Sequence, residues 1–348
     1  MATRLYENPI FLEHNTPEGH PERADRLRSL NIALEHPNFA RLERLQAEQA
    51  NEDAVTLAHP EEHLFSVMRQ IPEEDDQINQ IESDTYASQK SLQVALTAIG
   101  GAIAAVDDVM TGKADNAFVA GRPPGHHAEK SKAMGFCLFN TVAIAARHVQ
   151  KTYGVERVAI VDWDVHHGNG TQTIYYERDD VLTLSIHQQR AYPRGYTGEH
   201  DTGSGAGAGL NVNIPLPPGS GHEAYLHAMQ RIVLPALERY RPQLIIVACG
   251  YDASGVDPLG RMLLHSDSYR ELTRLTREAA ERLCDGKLVL VHEGGYAEAY
   301  VPFCGLAAIE ALSGLRTEVQ DPLLAMLESQ QPDAQTVAFQ KTLIDQLL

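Results

Sequence analysis

Five short apolar runs, at 117–120, 158–161, 181–186, 244–248 and 288–291, recur along this chain with polar clusters at their ends. Between and around them lie stretches of helix-length apolar spacing, at 91–110, 141–153, 223–240, 268–284 and 301–312. Runs of four to six apolar residues suit strands buried on both faces, and their alternation with helices predicts a mostly parallel sheet covered on both sides. The fold class expected is therefore α/β, a single domain with a central sheet. In such sheets ligands collect beyond the carboxyl ends of the strands, where the polar clusters of this chain fall. No internal repeat and no Pro/Ser-rich linker divides the 348 residues, so one domain over 1–348 is expected. Its tail, 316–348, carries Leu323, Leu324, Met326 and Leu327 at helical spacing and reads as a docking or oligomerisation segment. A homo-oligomer is the corresponding expectation.

Charge and composition narrow the partners. With 29 Lys+Arg against 47 Asp+Glu the formal charge is −18, which repels nucleic-acid phosphates and favours cationic partners. Cys137, Cys249, Cys284 and Cys304 show no CxxC spacing, which points to a reducing compartment. The N-terminus has no signal-peptide pattern, and no stretch of about twenty apolar residues stands out as a membrane span. A cytoplasmic protein bound to neither membrane nor nucleic acid is expected. The acidic stretch at 72–76 reads as an exposed loop, and the glycine-rich stretch at 203–209 as a flexible loop, because it lacks the Lys-Ser/Thr of a phosphate loop.

The cluster after 158–161 is Asp162-Trp163-Asp164-Val165-His166-His167-Gly168-Asn169-Gly170. If the strand continues through it, Asp162, Asp164 and His166 share one face and Trp163 and Val165 the other. Two carboxylates and an imidazole brought together in a buried place need a cation or hydrogen-bond donors to compensate them. An isolated Asp-x-Asp-x-His recurs by chance, but four further clusters supply the other groups that amide hydrolysis requires. Gly121-Arg122-Pro123-Pro124-Gly125-His126-His127 offers two adjacent imidazoles as general base and acid. Cys249-Gly250-Tyr251-Asp252 offers Asp252 as a third ligand beside Asp164 and His166, which leaves the open position of a catalytic zinc. Asp257, in contrast, reads as a turn cap. His292-Glu293-Gly294-Gly295-Tyr296 offers a glycine-flanked phenol, and Ser185-Ile186-His187 offers oxygens for a second, hard cation.

In order and spacing these clusters, together with Gly135-Phe136-Cys137-Leu138-Phe139-Asn140, closely resemble the zinc-dependent histone deacetylase and acetylpolyamine amidohydrolase family, in the style of its class II-like bacterial amidohydrolases. The resemblance runs from about His14 to Leu315 and implies an arginase/deacetylase-like fold. It also implies one zinc ion on Asp164, His166 and Asp252, tandem catalytic histidines His126 and His127, and a catalytic Tyr296. Asp162 would orient His126 and share a structural potassium ion with Ser185 and the Ile186 carbonyl. Asn169 stands where class I members carry an Asp partner for the second histidine. Gly135, Phe136 and Tyr192 would wall the acyl-lysine channel, and Arg26 matches an arginine near the acetate exit. The activity implied is removal of acetyl or related acyl groups from lysine side chains by metal-activated water, with hydroxamate-type chelators as inhibitors. His127 would take the water proton and Tyr296 would donate to the oxyanion.

Three rivals stand beside this reading. Acetylpolyamine deacetylation suits the acidic charge, but Leu259 occupies the rim position where polyamine-selective relatives carry a glutamate. An arginase-like two-manganese enzyme needs a carboxylate two residues after the histidine, where this chain has Gly168. A non-catalytic acyl-lysine binding protein has no use for Tyr296.

Overall fold

The computed structural model describes residues 2–348. Its strands are β1 (Thr3–Glu7), β2 (Glu43–Gln46), β3 (Ile78–Glu82), β4 (Thr85–Ser88), β5 (Asn116–Val119), β6 (Val158–Asp162), β7 (Val181–Gln188), β8 (Asn211–Leu216), β9 (Leu244–Cys249) and β10 (Leu288–His292). The helices are α1 (Ala24–Leu34), α2 (Glu61–Met68), α3 (Ser91–Met110), α4 (Thr141–Tyr153), α5 (Asn169–Tyr175), α6 (His222–Ala228), α7 (Leu234–Tyr240), α8 (Ser266–Leu283), α9 (Val301–Ser313), α10 (Leu324–Ser329) and α11 (Ala334–Asp345). Eight strands form one sheet in the order β2-β1-β5-β10-β9-β6-β7-β8, and every neighbouring pair is parallel. β3 and β4 make a separate antiparallel hairpin.

The apolar runs are continuous because both faces of the sheet are covered. Ala159, Val161, Ile245, Val247, Leu288 and Leu290 pack on one side with residues of α1, α8 and α9. Val158, Ile160, Leu244, Ile246, Val289 and Val291 pack on the other with residues of α3 and α4. Burying such a side chain contributes ~1.5–3 kcal/mol, so alternate residues of one strand stabilise two cores at once. Local signals set the helix ends. In α4 the Asn140 side chain accepts a hydrogen bond from Ala143 N at 3.0 Å, and Gly154 closes the helix at φ 67°.

Four sequence expectations change. The apolar pattern at 223–240 is one helical rod, but a π turn over Met229–Val233 interrupts it between α6 and α7. The strand before the Asp/His cluster ends at Asp162, so the ligands belong to a loop. α3 reaches the length and apolarity of a membrane span, contrary to the expectation that no segment does, but most of it is buried between the sheet and α4. β1 and β2 were not among the apolar runs: β1, Thr-Arg-Leu-Tyr-Glu, is largely polar, and β2 is a largely exposed edge strand. The tail packs on the body through α11 against α6 and β8, with Leu327 and Ile344 buried and Met326 exposed.

The topology decides what comes together. β5, β10, β9, β6 and β7 are neighbours in the sheet, although their sequence positions span more than half the chain. The polar clusters that follow them therefore meet at one end of it.

Candidate active site and metal centre

The loop after β6 is folded by its own carboxylates. Asp162 Oδ1 accepts from Asp164 N at 3.0 Å, and Asp164 Oδ1 accepts from His166 N at 3.0 Å. Such i to i+2 bonds replace the ladder and turn the chain over the sheet edge. They keep Trp163 and Val165 in the core while Asp164 and His166 face the crevice. Asp252, from the loop after β9, reaches the same point, and its Oδ1 accepts from Val165 N at 2.7 Å.

The three expected ligands converge. His166 Nδ1 lies 3.1 Å from Asp164 Oδ1 and 3.1 Å from Asp252 Oδ2, and one donor atom from each residue falls within 4.8 Å of the others. Asp164 and Asp252 have no exposure to solvent. Two carboxylates at this depth are costly without a cation, and an Asp/His/Asp donor set fits a divalent metal with a coordination position left open. Burial works against a charged His166, but Asp164 and Asp252 outweigh it and lift its pKa to about 10, as a cation between them would be favoured. Gly294 lets the chain pass close by. A Cβ there would sit 2.2 Å from Asp252 Oδ2, and its N–H donates to Asp164 Oδ2 at 2.9 Å.

His126 and His127 lie side by side, their ring centres 3.9 Å apart, with different partners. His126 Nδ1 donates to Asp162 Oδ2 at 2.8 Å, and His127 Nδ1 donates to the Asn169 amide oxygen at 2.7 Å. Asn169 is oriented by donating Nδ2 to Glu129 Oε1 at 2.8 Å. Burial disfavours charge on both rings. Asp164 and Asp162 overcome it at His126 and hold its pKa well above the usual range, whereas at His127 burial is reinforced by His126 and His166 and the pKa falls well below. The surroundings thus push the two rings in opposite directions, each with Nδ1 committed.

Tyr296 stands across the site, edge-on to Phe136 at 5.6 Å. Burial raises its phenol well above the usual range, against the opposing pull of Arg26, so it remains a donor. Arg26 lies 4.6 Å from the ring centre and donates to the Gly295 and Glu293 carbonyls at 2.5 and 2.6 Å. Its charge is held by Glu22, which also takes a bidentate pair from the buried Arg122 at 2.9 and 2.8 Å.

Gly135, Phe136, Tyr192 and Leu259, with His127, His166 and Tyr296, line one cavity of about 660 Å³. Gly135 has φ 59°, and a Cβ there would lie 2.4 Å from His127 Cδ2. Phe136 is also left-handed, at φ 69°, a conformation uncommon for a bulky residue and found where surroundings enforce it. Ser185 and Ile186 sit on β7, with Ser185 in register with Asp162.

Three residues take roles that the sequence does not announce. Glu293 Oε2 accepts from Gly125 N and His126 N at 2.5 and 3.1 Å, holding the histidine loop, and burial pushes its pKa up to about 7 against the pull of His126. Asp257 is more than a turn cap. Its Oδ1 accepts from Leu259 N at 2.9 Å, and its Oδ2 accepts from Tyr296 N and Ala297 N at 2.6 and 3.1 Å. Glu22 is the counter-charge for two arginines. Their local partners, Arg26 for Glu22 and Leu259 N for Asp257, do not announce these roles, because Arg122, Tyr296 N, Gly125 N and His126 N come from distant segments.

A family model described as histone deacetylase domain matches residues 20–312. A histone deacetylase-like amidohydrolase of Pseudomonas aeruginosa is 51% identical over 332 residues, covering 94% of this chain and 86% of that protein. A probable deacetylase of Archaeoglobus fulgidus is 39% identical over 319 residues, covering 90% of this chain and 87% of that protein. Among solved structures, the HDA15 HD domain matches with a TM-score of 0.84 at 33% identity, over 98% of this chain and 97% of that one. With the fold, the Asp/His/Asp centre and these matches in agreement, the chain belongs to the histone deacetylase family.

Proposed function

We infer that the protein is a zinc-dependent amidohydrolase that removes acetyl or related acyl groups from lysine side chains. The observation that carries this reading is the convergence of Asp164, His166 and Asp252 with a histidine pair and a buried phenol at the floor of a cavity walled by Phe136 and Tyr192. Membership of the family supports amide hydrolysis. The walls support a long unbranched stem, since each buried CH₂ contributes ~0.8 kcal/mol. Leu259 at the rim, in place of a carboxylate, favours lysine over a polyamine substrate.

Asp164, His166 and Asp252 would hold the zinc, which when bound would polarise the amide carbonyl and acidify a water. His127, its Nδ1 committed to Asn169, presents Nε2 as the acceptor for the water proton. Tyr296 donates its hydroxyl hydrogen to the oxyanion that develops. The histidine pair returns a proton to the leaving amine, His126 being held by Asp162. Arg26 lines the way out for acetate. The same reading takes Asp162, Ser185 and the Ile186 carbonyl as oxygen donors to a structural potassium ion. Homo-oligomerisation belongs to it as well, supported by the exposed Met326, Phe339 and Leu348 of the tail.

The test is product release from an acetyl-lysine peptide and from acetylspermidine, by zinc-loaded protein, chelated protein and Tyr296→Phe. Zinc-dependent peptide turnover that is lost in the variant is expected. Turnover of acetylspermidine alone would move the assignment to acylated polyamines, and zinc binding without any turnover would replace catalysis by acyl-lysine binding.

A further inference from the structure

The carboxylates and histidines at the floor of the cavity are held by hydrogen bonds, but two cations at its mouth are not. Arg190 and Arg261 line the cavity and are exposed, and neither guanidinium has a carboxylate within salt-bridge distance among the described residues. The one acidic residue that lines the cavity, Asp84, is engaged by the backbone N–H of Gly135 at 3.1 Å and by the Thr85 hydroxyl at 3.0 Å. The two arginines sit on separate loops, after β7 and after β9, which are tied together where Arg261 N donates to Gln188 Oε1 at 2.7 Å. Arg190 has φ 58°, a left-handed conformation that favours glycine, yet the position carries a long cation. Two exposed positive charges at the entrance, neither in an ion pair although Arg190 is felt at longer range by Glu199, contrast with the −18 of the whole chain.

We propose that Arg190 and Arg261 are specificity-determining residues that select acyl-lysines with a carboxylate beside them. The proposal rests on the acyl-lysine reading and deepens it. A carboxylate displayed next to the acylated stem meets guanidinium forks able to take it in a two-pronged bond. The chain's overall negative charge does not cancel this, because at physiological salt charges more than ~8 Å away are largely screened, whereas contact pairs are not. A polyamine's remote ammonium is repelled by the same two charges. The carboxylate has two possible sources, a neighbouring Asp or Glu side chain or the free C-terminus of an acyl-lysine.

The experiment compares kcat/KM at physiological ionic strength for amide-capped acetyl-lysine peptides flanked by Glu, Gln or Lys, and for a C-terminal acetyl-lysine as free acid and as amide. The proteins are the zinc-loaded wild type, R190Q/R261Q, R190E/R261E and R190K/R261K. Ratios between peptides within one protein cancel any loss of active enzyme. A Glu-to-Lys preference of about three- to tenfold is expected for exposed pairs in the wild type, kept in the lysine variant, lost in the glutamine variant and inverted in the glutamate variant. A preference for the free acid over its amide, without one among the internal peptides, assigns the terminal carboxylate as the source. An unchanged ratio across all four proteins, or a wild type that prefers Lys flanks or shows neither preference, overturns the proposal. If even the Gln-flanked peptide resists the wild type, the acyl-lysine reading itself fails and takes this inference with it.

Discussion

The floor and the mouth of one cavity are built on opposite terms. At the floor, Asp164, Asp252 and Glu293 each accept a backbone N–H from another loop, Asp162 accepts one from its own loop, and His126 and His127 have their Nδ1 atoms committed. At the mouth, Arg190 and Arg261 are exposed and unpaired on loops. On the reading proposed above, fixed geometry is asked of buried, largely hydrogen-bonded groups, and selectivity of side chains free to adapt. Asp257 joins the two, since one oxygen holds Leu259 at the rim and the other holds Tyr296 at the floor.

The largest effect is expected behind the floor. Glu22→Ala leaves Arg26 and Arg122 buried without their counter-charge and should cost about 3–5 kcal/mol in denaturant unfolding. The same residue carries an acid dependence. Burial alone favours the neutral carboxyl, but Arg122 and Arg26 outweigh it and bring its pKa down to about 2. Because the folded pKa lies below the unfolded one, this stabilisation is present above pH ~4.5 and is lost as pH falls toward 2. Glu22→Gln should therefore show a shallower fall of stability between pH 5 and 2 than the wild type. An equal slope would assign the acid sensitivity to other carboxylates.

Next comes the donor. Tyr296→Phe should fold and bind zinc yet turn over an acetyl-lysine peptide ~10²–10³-fold more slowly, and near-normal turnover would remove the phenol from the reaction. Asp257→Ala should lower kcat by about ten- to a hundredfold through misplacement of Tyr296, with zinc affinity preserved. Equal activity there would mean that floor and mouth are independent. The smallest effects belong to the mouth, where R190Q/R261Q should remove a Glu-to-Lys preference of about three- to tenfold.

How much could be read beforehand differs by element. The central strands announce themselves because burial on both faces leaves apolar runs, as in β9 and in β10 up to His292. β1 pairs with both β2 and β5, but its Thr-Arg-Leu-Tyr-Glu carries no such run, so its strand identity comes from its neighbours. In the site, Asp164, His166 and Asp252 were legible because ligand types follow strand ends at motif spacing. Glu22, Asp257 and Glu293 were not, since beside any local partner each also holds a group about 40 to 170 residues away.

By itself the sequence determined the alternation of strand and helix, the residue types able to hold a metal and move protons, and the resemblance they compose. Those depend on local periodicity and on side-chain chemistry. Tertiary structure alone decided the strand order that brings loops after β5, β6, β9 and β10 to one point, the different partners of His126 and His127, and the unpaired arginines at the mouth. Burial, hydrogen-bond partnership and charge pairing are properties of position in space, and one-dimensional spacing does not contain them.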